Sequence, residues 1–115
     1  DAVDLGLVRR TFRDEEKLAI DYRDEQARVT QRIIRPIALI YYSEAAVVVG
    51  WCELRQAIRN FRIDRTLTCA PTGTGFRGEG EALRRLWIAG WRSDGPAAAL
   101  PDADGEGTSP SRPAR

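Results

Sequence analysis

Between residues 18 and 69 the apolar side chains arrive in short β-rich runs separated by turn-forming clusters, and this punctuation points to a small antiparallel sheet. Leu18, Ile20 and Tyr22 alternate with Ala19, Asp21 and Arg23, which predicts a half-buried strand, and the polar run 24–28 then turns the chain into a hairpin. Residues 31–42 form the next run. Pro36 sits in its middle and cannot donate to a ladder, so a bulge, break or edge is expected there and the strand should bend. Ser43 and Glu44 make a turn, residues 45–53 read as a mostly apolar strand, and 54–57 reverse direction into a strand ending near Cys69. Helices flank this region. Over 2–17, Val3, Leu5, Leu7, Val8 and Phe12 include helical steps, with Asp4 early and Arg9, Arg10 and Arg13 late, as the helix dipole prefers. Over 81–92, Leu83, Leu86, Trp87 and Trp91 share one face. The expected fold is mainly β within the α+β class: four or five antiparallel strands in a small curled barrel, with an N-terminal and a C-terminal helix.

The length, 115 residues, suits one domain and a tail. Residues 1–70 read as the domain itself, 71–93 as a Gly-rich connector and helix, and 94–115 as a disordered tail too poor in apolar area to offset its ordering entropy. Gly73, Gly75, Gly78 and Gly80 carry the spacing of a dinucleotide fingerprint, but no βαβ crossover accompanies them, so a flexible connector is the better reading. The longest apolar stretch, 45–52, is too short to span a bilayer, and no secretory signal opens the chain, which predicts a cytoplasmic protein with no membrane partner. Without Met, the chain does not open at a natural start, and something upstream is expected.

Chemistry concentrates between Gly50 and Arg65. Arg55, Arg59, Arg62 and Arg65 are interleaved there with Trp51, Ile58, Phe61 and Ile63. Read with period two, Arg59, Phe61, Ile63 and Arg65 fall on one side of a strand, and Ile58, Asn60, Arg62 and Asp64 on the other, so both faces carry guanidinium. A guanidinium is planar, always charged and offers a fork of donors, which suits phosphate or carboxylate. The alternative is that these arginines pair with Glu53, Asp64 and the acids of 21–25 as ordinary surface ion pairs. Net charge is only +1, so anion binding must come from local clustering rather than a broad electrostatic grip. All basic residues except Lys17 are arginine, an enrichment that base composition alone could produce. There is no His, no nucleophile motif and no metal-ligand cluster, so neither an enzyme nor a bound cofactor is expected. Cys52 and Cys69 read as structural thiols, and Tyr22, Tyr41 and Tyr42 as packing residues or donors.

The string RIIRPIALIYY (32–42) followed by VVVGWCELRQAIRNFRIDR (47–65) resembles the WYL domain, found C-terminal to helix-turn-helix modules in bacterial transcriptional regulators, and the likeness extends from Asp1 to about Arg92. The resemblance implies a barrel related to the Sm and SH3 folds. It also implies a ligand-sensing role with a nucleotide or short single-stranded nucleic acid as effector, and operator DNA contacted only through an N-terminal module absent from these residues. The family's R-x-V-x-P element falls on Arg32, Ile34 and Pro36, and its R-x-x-R-x-x-R signature on Arg59, Arg62 and Arg65. The tripeptide that names the family would lie at Ala46, Val47 and Val48, where its tryptophan and tyrosine are replaced, so an aromatic platform or anchoring hydroxyl would be gone. The helix reaching Arg92 resembles the start of an extension that helps such regulators dimerise. The expected ligand set is therefore Arg59, Arg62 and Arg65 with Arg32 and Tyr41. Two other roles fit the same residues: a standalone single-strand-binding module, or arginines that brace the barrel or a homodimer seam.

Overall fold

The computed structural model describes residues 3–94, with side chains through Gly90; the tail expected over 94–115 lies outside what it describes except for Asp94, the last residue of a helix, as do the side chains of 91–94. Helix α1 (Leu5–Asp14) opens on Asp4, whose carboxylate accepts from Gly6 N at 2.9 Å and Leu7 N at 3.3 Å. It is shorter than expected because Glu15 takes up the left-handed conformation (φ 56°) and ends it. Strands β1 (Glu16–Arg23), β2 (Val29–Tyr41), β3 (Ala46–Cys52), β4 (Ala57–Arg62) and β5 (Thr66–Gly75) follow, then helix α2 (Gly80–Asp94). They make one sheet of order β4-β3-β2-β1-β5 with every pair antiparallel.

Of the bulge, break or edge expected at Pro36, β2 takes the bulge: the β2–β3 register shifts between Pro36 and Ala38. Gly50 stands opposite, and a Cβ there would lie 2.8 Å from the Arg35 carbonyl oxygen and 3.1 Å from Pro36 Cα. Only glycine lets the two backbones approach so closely. Directly opposed residues of an antiparallel pair share a face, which sorts the side chains into two clusters. One face carries Leu18, Ile20, Tyr22, Ile34, Val48, Cys52 and Phe61, capped by Val3 and by Val8 of α1. The other carries Ile37, Val47 and Val49, with Ile58 and with Leu83 and Trp87 of α2 packed against them. β3 is thus covered on both sides, which explains why its sequence is a continuous apolar run rather than an alternating one. Each such side chain, fully buried, contributes about 1.5–3 kcal/mol.

β4 and β5 occupy opposite edges of the sheet, yet only a 3-10 turn, Ile63–Arg65, separates them. Arg62 and Thr66 therefore lie within about 14 Å of each other, and the sheet must curl until its edges converge. It does not close. At the meeting point Arg62 N donates to Tyr22 Oη (3.1 Å) and Arg62 O accepts from Thr66 Oγ1 (2.9 Å). Side chains take the backbone groups that a closing ladder would have used, so the expected barrel is an open, curled sheet. The single strand expected through to Cys69 is likewise two strands, because the chain must cross from one edge to the other. β5 then runs on to Gly75, through residues expected to be a connector. As an edge strand it pairs with β1 from Tyr22↔Thr66 to Leu18↔Pro71 and again at Glu16↔Gly75, with Thr72 Oγ1 donating to the Lys17 carbonyl (3.0 Å) and Gly73 N to the Glu16 carboxylate (2.8 Å) across the irregular stretch between, and it tolerates Pro71.

Glu15 joins the two helices. Its carbonyl accepts from Phe76 N (2.7 Å), and its carboxylate accepts from Gly78 N (2.6 Å) and from Gly80 N (3.2 Å), the first N–H of α2. A charged network fixes the same end of α2 to the sheet. Arg35 bridges Glu53 (3.1 Å) and Glu79 (2.6 Å), and Lys17 Nζ reaches Glu53 at 2.8 Å.

Candidate anion-binding site

Arg62 ends β4 at the converging edges, with its backbone held on both sides as described. Its guanidinium closes a two-pronged contact on Asp64, Nε to Oδ1 at 3.0 Å and Nη2 to Oδ2 at 2.9 Å. That bond holds the Asp64 carboxyl below its ordinary range, and Asp64 in turn raises the Arg62 guanidinium, with Tyr22 and Glu44 adding to the field. Arg65, in the 3-10 turn, reaches Glu25 on the β1–β2 hairpin at 3.8 Å. The corner is thus two arginines, each facing an acid, beside the hydroxyl of Tyr22.

The other expected ligands lie elsewhere. Arg59 is opposite Gly50 and Arg62 opposite Val47, so the two point to different faces of β4. Arg59 Nη1 donates to the Ile58 carbonyl at 3.0 Å. Arg32 is 1% exposed, buried on the α1 side. Its Nε donates to Thr30 Oγ1 (3.0 Å), its Nη1 lies 3.6 Å from Cys52 Sγ, and its guanidinium stacks over the Phe61 ring at 5.9 Å. Phe61 meets Tyr22 edge to face with ring centres 5.2 Å apart. Tyr41 is exposed, and its hydroxyl accepts from Arg9 of α1, whose guanidinium also sits 5.8 Å from the ring centre. Arg55 is exposed in the β3–β4 turn, at the far end of β4 from Arg62. Arg62 and Arg65 therefore both act on Asp64, Arg59 points to the other face of β4 from Arg62, Arg32 is interior, and Tyr41 belongs to an α1 contact.

Two of the acids named as alternative partners in the sequence are in place, Asp64 on Arg62 and Glu25 on Arg65, whereas Glu53 pairs with Arg35 and Lys17 instead of the arginines of 55–65. The roles of Tyr22, Thr66 and Arg9 could not be anticipated from spacing, because each contact joins distant parts of the chain or depends on the 3-10 turn. Arg32 left a signal: it shares parity with Ile34 on β2, which puts it on the core side. Ala46, Val47 and Val48 are sheet positions whose two valines are buried on opposite faces of β3. Cys52 and Cys69 are free thiols, and burial pushes the Cys69 thiol up, with Asp4 adding to it. Among the described residues no cluster of His, Cys, Asp and Glu could hold a metal ion, and no helix is long and apolar enough to cross a membrane.

Residues 4–70 match the WYL domain family. No curated protein matches the chain. Among solved structures it is similar to proteasome accessory factor B/C (PafBC) of Arthrobacter aurescens, with a TM-score of 0.61 and 25% identity; the alignment covers 68% of this chain and 12% of PafBC.

Proposed function

We propose that this chain, which belongs to the WYL domain family, is the sensing domain of a longer transcriptional regulator and receives a phosphate-bearing effector, a nucleotide or short single-stranded nucleic acid. The observation that carries this is the corner where the sheet edges converge, with Arg62 and Arg65 on a backbone fixed by Tyr22 and Thr66. Arg59 lies close behind in sequence, and Arg32 and Tyr41 act by holding the curl and α1 in place. An effector regulates only if it binds one arrangement of the protein better than another. Here the responsive part is the junction of β4, the 3-10 turn and β5, which sets how the two edges sit. Operator DNA is contacted through an N-terminal module outside this chain, and the regulator works as a homodimer in the cytoplasm. The role is not catalytic.

Titration with short fluorescent single-stranded DNA and RNA at two salt concentrations tests the reading. Saturable, salt-dependent binding lost in a folded Arg62→Ala, Arg65→Ala variant is the expected result. A second reading is favoured by the same ion pairs: the arginines brace the corner and bind nothing. It predicts no binding to either strand and a loss of stability in the double variant.

A further inference from the structure

The acids at this corner lie outside the arginines they touch. Asp64 is 56% exposed against 32% for Arg62, and Glu25 is 64% exposed against 29% for Arg65. An anion arriving from solvent therefore meets carboxylates before it meets guanidinium. Asp64 also holds Arg62 by the same parallel fork that a phosphate would use. It lies two residues along the chain, inside the 3-10 turn, so it can swing away without moving any strand. Arg62 would stay where it is, because its backbone is anchored by Tyr22 and Thr66 rather than by Asp64.

Resting on the effector-site reading above, we infer that Asp64 is a built-in competitor: an internal anion that occupies the Arg62 fork and sets which ligands can enter. A monocarboxylate offers the guanidinium no more charge than Asp64 does, and it must find the site from solution while Asp64 is tethered beside it. It cannot displace it. A phosphate monoester carries about −1.5 to −2 charges and three acceptor oxygens, so it can engage Arg62 and Arg65 together and shift both acids outward. The ligand class selected is thus a terminal phosphate monoester.

The test uses the full chain and one short fluorescent single-stranded DNA in 5′-phosphorylated and 5′-hydroxyl forms. Wild type should prefer the phosphorylated form. Asp64→Asn should bind both more tightly, by roughly two- to fivefold, the range expected when an exposed ion pair is removed. The preference for the phosphate should narrow, Asp64→Ser should behave alike, and the gain should vanish when Arg62→Ala is added. If Asp64→Asn and Asp64→Ser, both folded by thermal melting, bind no better than wild type while Arg62→Ala abolishes binding, the competitor role is wrong and the effector site stands. Binding that appears only in the Asp64 variants supports the competitor role. No binding by wild type or either variant overturns both ideas.

Discussion

Arg32 and Arg62 are the same side chain in opposite settings. Arg32 is buried in the interior, stacked on Phe61 and bonded to Thr30; Arg62 sits at the rim where the sheet edges meet, its fork on an exposed Asp64. The interior holds its cation by shape as much as by charge, since a buried guanidinium without satisfied donors would be strongly destabilising. The corner holds its cation by a contact that water and salt can weaken. One arginine belongs to the architecture, and the other is available for exchange.

The sharpest way to break this contrast is Arg32→Ala, which removes the stack on Phe61, leaves a void beside Cys52 and should cost about 3 kcal/mol. Urea denaturation would measure it, and an unchanged midpoint would mean that the interior does not depend on this cation. Glu53 falls between the two extremes, half-buried against Lys17 and Arg35. The hydrogen bond from Lys17 first, then that from Arg35, holds its carboxyl below the ordinary value of 4.5. A lowered native value means its contribution is complete above 4.5 and is lost as the pH falls from there through the native value. Glu53→Gln should therefore lower stability at neutral pH by about 1 kcal/mol, and the gap from wild type should close on acidification in a melting series. The smallest effect belongs to Arg62→Ala, whose change in stability should stay under about 1 kcal/mol in low salt and shrink further in high salt. A cost matching that of Arg32→Ala would turn the corner from an exchange site into a brace.

The two regions also differ in how far they could be read from the sequence. Strands, hairpin turn and the bulge at Pro36 follow from alternation and from a missing donor, both of which are local. The 3-10 turn was hidden because Ile63, Asp64 and Arg65 continue the period of β4 without a Gly or Pro to mark the break. The last part of β5 was hidden for the opposite reason: Pro71, Thr72, Gly73 and Thr74 carry no apolar period, and they are held to β1 across a register shift by polar bonds, Thr72 Oγ1 to the Lys17 carbonyl and Gly73 N to the Glu16 carboxylate. For the site, residue types suggested an anion and named the acids that could neutralise the arginines. The interior place of Arg32 was legible from its parity with Ile34, but that Glu15 would tie α2 back to α1 depended on contacts up to 65 positions apart.

The close approach at Gly50 carries a consequence for how this domain can diverge. The atoms that a side chain there would strike belong to the backbone of Arg35 and Pro36, so trimming neighbouring side chains cannot make room. Positions 36 and 50 are therefore coupled through the backbone. A lineage that gains a side chain at 50 must first straighten the bulge on β2, and with it shift the register of every β2–β3 pair from Ala38 to Tyr41.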